Sequence, residues 1–305
     1  MLGLSVILSA SGVDWDWEAV QEFPRVHRIV QGRKDKLRPS EEDEPTLASE
    51  LRLNPTAVDD TDRSGRSALD WATAMANLAD MHLLLDRKSP VNTMDLEGRT
   101  TVLHAVDSHS SEALRMILEA GGDPNPELPP TSRRSSPLIA ASFGGLADMV
   151  ELLIKHGAKV DACNPEGWTA LQKATSVHSV ACVEILLACG ADPVGIARNG
   201  HSALTIAIMY NSTGVLELFL KYLGARKRFA GPSLIPFIAK YATTRTISMF
   251  AASNILFKQT VLNSDDLVTG LQTVQSREDL DIPLSIAFNE LVKSLQLTAT
   301  DICEQ

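Results

Sequence analysis

Cysteine and aromatic residues are scarce in this chain. Its 305 residues include 4 cysteines, and 5% of them are aromatic. No two cysteines form a C-x-x-C pair, and four scattered cysteines are too few for a disulfide scaffold. Cys182 and Cys189 fall within or just after an apolar segment, so we interpret them as reduced thiols. This favours a cytosolic or nuclear compartment.

Sequence motifs of catalysis and cofactor binding are also missing. The chain contains no G-x-x-x-x-G-K-[ST], G-x-G-x-x-G, H-E-x-x-H or G-x-S-x-G pattern. Its seven histidines do not cluster with acids or cysteines at the spacing of metal ligands. We therefore predict no catalytic residue, no cofactor and no metal site, and interpret Asp70, Asp107 and Asp148 as capping or solvated residues.

The charge balance is acidic and no long apolar run is present. The formal net charge is −10, which argues against non-specific binding to nucleic acid or membranes. No run reaches the roughly 18 apolar residues of a membrane span. The short apolar stretch from Leu2 to Ala10 lacks a basic flank and is not interpreted as a signal peptide. The basic runs at 33–36 and 226–228 are interpreted as solvated surface, with nuclear import as the alternative.

A repeated pattern dominates the middle of the chain. Five segments open with a hydroxyl residue, followed two residues later by an aliphatic residue and three after that by alanine. The spacings between successive openings are 33, 36, 33 and 33 residues. The opening residues are Ser67, Thr100, Ser136, Thr169 and Ser202.

Glycines and apolar triplets recur in phase with these openings. An apolar triplet follows each opening by 16 to 18 residues, and three copies then reach a glycine where a helix must stop. Those glycines are Gly121, Gly157 and Gly190. A second glycine, two residues before the hydroxyl, marks the tip of a β-hairpin, where a positive φ favours glycine. The tip glycines are Gly65, Gly98, Gly167 and Gly200.

This period and pattern resemble the T-P-L-H-x-A core of ankyrin repeats. The resemblance implies an all-α ankyrin-repeat solenoid of helix-turn-helix units joined by β-hairpin loops, with divergent helical caps. Neither helix of a unit can bury its apolar face alone, so the units must stack. We expect an elongated, slightly curved array.

The pattern divides the chain into three parts. Residues 1–44 form an N-terminal flank with an acidic linker, residues 45–224 the repeat array, and residues 225–305 a divergent helical cap. A half-repeat at 45–61, with Leu47, Leu51 and Leu53 as apolar positions, precedes the full repeats. Beyond Gly224 the period is lost. The repeats cover about 62–94, 95–125, 126–161, 162–194 and 195–224.

The chain departs from the family pattern at the histidine of T-P-L-H. That histidine is replaced in all five units, so we expect its side-chain hydrogen-bond network to be missing and the array to be less regular. The replacements are Asp70, Leu103, Ile139, Gln172 and Thr205. His104 would restore the motif if the second repeat shifted by one residue, but the triplet at 116–118 favours the unshifted register. The third unit has a hairpin three residues longer, rich in proline and arginine, and such insertions often lie on the binding side.

The resemblance also implies where a partner would bind. Ankyrin arrays contact partners through residues flanking the tip glycine and through the exposed end of the first helix. The predicted partner-binding residues are Arg66, Arg99, Arg133, Phe143, Glu166, Trp168, Arg198, His201, Met209 and Tyr210.

Trp168 stands out because it is an indole at a hairpin tip. With Phe143, Met209 and Tyr210 it would form an apolar centre, and the arginines would form a basic rim that favours an acidic or extended peptide. In the alternative, Trp168 covers its own hairpin. Trp71 lies inside the first-helix motif and is interpreted as a packing residue.

These observations predict a non-enzymatic adaptor or scaffold that binds another protein or peptide, with no direct nucleic-acid binding and no membrane contact. The chain also resembles fungal ankyrin proteins that look like transcription coregulators near metabolic gene clusters, which implies such a role here. Two alternatives are an accessory or substrate-presenting subunit of an enzyme complex and a protein that self-assembles through its edge repeats. The oligomeric state is left open, and the predicted location is cytoplasmic, nuclear or both.

Overall fold

The computed structural model describes residues 47–127, 135–225, 233–253, 264–278 and 282–303. Within these residues the fold is all-α, as predicted, with fifteen α-helices and one 3₁₀ helix. Extended pairing in the same residues is limited to three isolated antiparallel bridges at the bases of hairpins. They join Thr61 to Ser67, Met94 to Thr100 and Cys163 to Thr169.

The chain divides into two compact units. The first takes Met1–Pro137, described from Leu47 onward, together with Lys155–Ala158. The second takes Leu138–Ile154 and Lys159–Gln305.

The first unit contains two helix pairs preceded by a short helix. Helix α2 packs on α3 and on α4, and α4 packs on α5, so consecutive pairs stack. A 3₁₀ helix, Pro55–Val58, follows α1. The helices are α1 Leu47–Leu53, α2 Ala68–Ala74, α3 Leu78–Asp86, α4 Thr101–Asp107 and α5 Ser111–Glu119.

The three apolar positions of helix α1 differ in burial. Leu47 and Leu51 are fully buried, whereas Leu53 is 74% exposed. Residues four apart share one face of a helix, but a residue two further on points to the other side. Only Leu47 and Leu51 therefore belong to the core.

The second unit stacks further helix pairs. Helices α8, α10, α12 and α14 pack on one another in that order, and α9, α11, α13 and α15 do the same. The helices are α6 Pro137–Phe143, α7 Ala147–Lys155, α8 Ala170–Ser176, α9 Val180–Ala188, α10 Ala203–Met209, α11 Thr213–Gly224, α12 Ile235–Tyr241, α13 Thr244–Ser253, α14 Ser264–Gln275 and α15 Ile282–Cys303.

Stacking thus continues beyond the point where the sequence period was expected to end. Ile235, which begins α12, lies 32 residues after Ala203, which begins α10, so α12 and α13 occupy the place of another repeat. The opening hydroxyl is gone there, but Ala239 lies 32 residues after Ala207 and keeps the alanine position, and it is fully buried together with Ile235 and Ile238. The architecture of the repeats therefore continues after Gly224, although the opening hydroxyl is lost.

The opening hydroxyls cap the first helix of each unit in which the cap is described. Ser67, Thr100, Thr169 and Ser202 each accept a hydrogen bond from the backbone N–H three residues later, which satisfies a donor that has no partner inside the helix. Thr100 caps α4, which confirms the unshifted register of the second repeat.

Three of the residues that replace the family histidine also take part in helix capping. Asp70, Gln172 and Thr205 each complete a capping box with the opening hydroxyl residue. The carboxylate of Asp70 also accepts hydrogen bonds from Thr93 at 3.2 Å, at the end of the same repeat, and from Thr101 at 2.6 Å in the next repeat.

Gln172 makes the corresponding link in the second unit. Its Nε2 donates to the backbone oxygen of His201 at 2.7 Å, and its Oε1 accepts from Asn199 at 2.9 Å. The expectation that the hydrogen-bond network is missing is therefore wrong, because other polar residues build it.

The tip glycines have the predicted backbone. Gly65, Gly98, Gly167 and Gly200 have φ angles of 76°, 75°, 83° and 78°. Gly167 is also crowded, since a Cβ there would lie 2.6 Å from the backbone nitrogen of Asn199 and 2.7 Å from the Cβ of Arg198. A Cβ on Gly200 would meet nothing within 4 Å.

This contrast gives a matched pair of substitutions. Gly200→Ala should cost about 1 kcal/mol of unfolding free energy, because only the positive φ opposes it. Gly167→Ala should cost roughly 3 kcal/mol, because two hairpin tips must also move apart. Urea unfolding followed by circular dichroism measures both, and equal losses would contradict the close approach of the tips.

A second polar link joins consecutive repeats of the first unit through asparagine. The Nδ2 of Asn92 donates to the Gly121 oxygen at 3.0 Å, and its Oδ1 accepts from the Asp123 N–H at 2.8 Å. Asn125 repeats the donation, to the Gly157 oxygen at 2.9 Å. An asparagine can do both because its amide carries a donor and an acceptor.

Asp161 occupies the equivalent place just before the fourth repeat, eight residues before Thr169 as Asn92 stands eight before Thr100. An ionised carboxylate has no N–H to donate. Burial and, secondarily, the Asp192 carboxylate raise the pKa of Asp161. A carboxyl group with a raised pKa destabilises the folded chain at neutral pH, and protonation relieves that cost.

Asp161→Asn should therefore stabilise the chain at pH 7 by roughly 0.5–1 kcal/mol, because the amide restores the missing donor. The gain should shrink as the pH falls through the pKa of Asp161, since the protonated carboxyl of the unsubstituted chain can donate as well. Urea unfolding at pH 7 and pH 4 measures this. The reverse change Asn92→Asp is the control and should destabilise at pH 7; a gain from Asp161→Asn that is the same at both pH values would refute the explanation.

Candidate protein-binding site

The two predicted tip arginines of the first unit lie in an ion-pair cluster. The side chain of Arg66 is only 6% exposed, and its Nε donates to Asp95 Oδ2 at 3.1 Å. Arg99 is half-buried and pairs with Asp95, Glu97 and Asp107. Arg66 therefore does not offer its guanidinium to a rim as expected, and the positive charge of both arginines is largely balanced within the unit.

Asp95 is the centre of this cluster. Burial alone would raise its pKa, but hydrogen-bond donors outweigh burial and hold the pKa of Asp95 well below its usual range. The groups that lower it are His104, whose Nε2 lies 3.2 Å from Oδ2, and the backbone N–H of Arg99 and the Nε of Arg66, which donate hydrogen bonds to the carboxylate. Sequence reasoning missed Asp95, although its position three residues before the tip glycine, shared with Asp62, was a usable signal.

The burial of Trp71 confirms the prediction that it is a packing residue. It is 7% exposed, and its Nε1 donates to Asp62 Oδ2 at 2.9 Å. The Cζ of Arg66 lies 5.1 Å from the centre of the Trp71 ring. The residue before the helix cap thus packs on the fourth helical residue, at the positions of a hydrophobic staple but with a cation and an aromatic ring.

The fourth repeat has the same pair with the two partners exchanged. Trp168 stands before the cap and Lys173 is the fourth helical residue, with its Nζ 4.3 Å from the centre of the Trp168 ring. The same ammonium lies 5.3 Å from the centre of the Phe143 ring. We call these three residues, Phe143, Trp168 and Lys173, the Lys173 clamp.

The Lys173 clamp is accessible, unlike the Arg66–Trp71 pair. Phe143, the last residue of α6, is 58% exposed, and Trp168 and Lys173 are half-buried. Trp168 therefore packs on its own repeat and still presents part of its surface. Lys173 was missed by sequence reasoning, and the signal that could have found it is its staple position relative to Trp168.

The remaining predicted residues lie on neighbouring repeats. Glu166 and Arg198 are exposed at adjacent tips, and Tyr210 is 49% exposed beyond the half-buried Met209 at the end of α10. Among the described residues, no ring contact joins Tyr210 to Trp168.

Two predicted partner-binding residues remain, His201 and Arg133. His201 is half-buried, and its ring meets Phe237 of α12 edge to face, with centroids 6.1 Å apart. Arg133 lies outside the described residues.

The described part of the chain lacks two kinds of feature. No group of three or more histidine, cysteine, aspartate or glutamate side chains there could hold a metal ion. No helix there is both long enough and apolar enough to cross a membrane.

Comparison with known proteins links the described geometry to a family. A family description reading "Ankyrin repeats (3 copies)" matches residues 138–230. The mouse (Mus musculus) B-cell lymphoma 3 protein homolog is 35% identical over 155 residues, covering 48% of this chain and 34% of that protein. Human (Homo sapiens) ankyrin repeat and SOCS box protein 16 is 32% identical over 170 residues, covering 53% and 37%.

A fungal relative matches the longest stretch of these three. Ankyrin repeat protein nuc-2 of Neurospora crassa is 28% identical over 211 residues, covering 58% of this chain and 19% of that protein. The chain thus spans about a third or less of the length of these relatives. Together with the phased motif and the stacked helix pairs, these matches show that the chain contains ankyrin repeats.

Proposed function

We propose that this chain is a non-enzymatic adaptor that binds another protein through the surface around the Lys173 clamp. Ankyrin repeats are protein-interaction modules, which gives the general role. The observation that carries the specific proposal is that one ammonium group joins an exposed aromatic ring, Phe143, to a half-buried one, Trp168. Aromatic side chains supply many of the strongest contacts of protein interfaces because they bury a large area at small entropy cost.

The charges of the two units favour this choice of surface. In the first unit, carboxylates balance Arg66 and Arg99, so those arginines have less to offer a partner. In the second unit, Arg198 and Tyr210 are exposed on the repeat that follows Trp168. An extended segment of a partner that follows the repeats would meet the Lys173 clamp first and these side chains next.

Trp168→Ala should weaken binding of the partner by about 2 kcal/mol, or roughly thirtyfold in Kd, because the substitution removes the largest apolar contact of the clamp. The partner is first identified by affinity capture with the full chain and then purified, so that isothermal titration calorimetry measures a direct interaction. Melting followed by circular dichroism should show that the variant stays folded.

Leu53→Ala provides the control, because Leu53 is an equally apolar and more exposed residue of the first unit. It should leave the affinity unchanged. A folded Trp168→Ala variant that binds the purified partner as tightly as the unsubstituted chain would rule out the proposed surface.

The finer role that we propose is transcriptional coregulation of a metabolic gene cluster. The resemblance to fungal coregulator-like ankyrin proteins supports this role, as does the match to a fungal ankyrin-repeat protein over 58% of the chain. The basic run Arg226-Lys227-Arg228 would then serve nuclear import.

Fluorescence imaging of the tagged full chain should accordingly show nuclear accumulation. Replacing the three basic residues at 226–228 by alanine should reduce the nuclear fraction. A chain that stays outside the nucleus would eliminate the coregulator role and leave the adaptor role standing.

A further inference from the structure

We infer that the Lys173 clamp is a receptor for a carboxylate of the partner, and that it selects an extended peptide with an acidic residue next to an apolar one. This inference rests on the proposed function and specifies the chemistry of the partner. The acidic side chain would pair with Lys173, and the apolar side chain would lie on Phe143.

Lys173 differs from the predicted tip arginines of the first unit in what surrounds its charge. Its ammonium lies against two aromatic rings, at 4.3 Å and 5.3 Å from their centres. Ring faces attract a cation through their quadrupole but carry no net charge, so they hold the ammonium in place without neutralising it. Among the described residues, no carboxylate forms an ion pair with Lys173, whereas Arg66 and Arg99 share Asp95 and Glu97.

Charged side chains of both signs lie on the hairpin tips beside the Lys173 clamp. Glu166 lies exposed on the tip that carries Trp168, and Arg198 lies exposed on the adjacent tip, whose backbone approaches Gly167. These two side chains carry opposite charges. Lys173 is the cation that lies on the two rings, and so the one that a ligand on those rings would meet.

The acidic bulk of the chain makes this cation more selective. With 38 acidic and 28 basic residues, the chain repels anions over much of its surface. A ligand that covers Phe143 would also displace water from the ammonium, and charge pairing strengthens as water is excluded. The geometry therefore favours a ligand that brings its own carboxylate together with an apolar side chain.

A carboxylate suits this site better than a phosphate does. Phosphate groups are usually held by several donors or by the two-pronged guanidinium of arginine. The Lys173 clamp offers one ammonium flanked by apolar rings. A single charge beside an apolar side chain is what an acidic peptide segment provides.

A displayed library of random twelve-residue peptides tests the inference on the full chain. The unsubstituted chain should enrich peptides in which Asp or Glu adjoins an aromatic or aliphatic residue. Lys173→Glu should lose these peptides at least tenfold and should instead enrich Lys or Arg at the same place, since the charge at the clamp is reversed. Lys221→Glu is the matched control, because it makes the same charge change on an exposed part of α11 and should leave the selection unchanged.

A selected peptide then gives a quantitative check. Replacing its acidic residue by the corresponding amide should weaken binding to the unsubstituted chain about tenfold, measured by fluorescence anisotropy. The same replacement should have little effect on Lys173→Gln, which keeps the length of the side chain and removes its charge. Circular dichroism establishes that both Lys173 variants are folded.

The outcomes separate this inference from the proposed function. If Trp168→Ala abolishes peptide binding but Lys173→Glu retains the same acidic peptides, the carboxylate receptor is overturned and the adaptor surface survives. Selected peptides without acidic residues would overturn it in the same way. If no selected peptide depends on Trp168, both the surface and the receptor fail.

Discussion

A helix of seven residues cannot persist alone, and every first helix of the repeats described here has that length. Such a helix lacks partners for most of its terminal backbone groups and has too few hydrogen bonds to offset the cost of nucleation. Each therefore depends on neighbouring helices for burial, and α2, α4, α8 and α10 are also capped by their opening hydroxyls. The stack is the stable entity, and a single repeat is not.

Polar contacts between repeats fix the register in which the repeats stack. Apolar contacts alone tolerate sliding, but Asp70 accepts a hydrogen bond from Thr101 of the following repeat, and Gln172 donates one to the following hairpin. These buried hydrogen bonds are satisfied in one register only. They replace the hydrogen-bond network that the absent family histidine was expected to anchor.

The parts of the structure that the sequence predicts are those set by local geometry. The tip glycines, the capping hydroxyls and the register of the second repeat depend on a few neighbouring residues, and each was readable from spacing. The partners of Asp70 lie 23 and 31 residues away, so no local pattern announces them. Local patterns also fail to predict α12 and α13, which bury isoleucines but lack the opening hydroxyl. They fail again for Lys173, because the two rings that it contacts come from different repeats.

Cations and aromatic rings appear at one pair of positions with two results. In the first repeat the arginine precedes the cap and the tryptophan lies in the helix, and both are buried above Asp62. In the fourth repeat the order is reversed, and the tryptophan at the tip keeps an accessible face. The order of the pair therefore decides whether it stabilises the repeat or also forms a surface.

The close approach of the backbone at Gly167 to Arg198 and Asn199 has a consequence for how such a surface can change over time. The separation of these tips is set by main-chain atoms and by the Cβ of Arg198. It therefore does not depend on the outer atoms of the side chains that the tips carry. Substitutions at 166, 168 and 198 can alter which partner is recognised without altering the distance between the two hairpin tips. The partner can therefore change while the backbone of the surface stays the same.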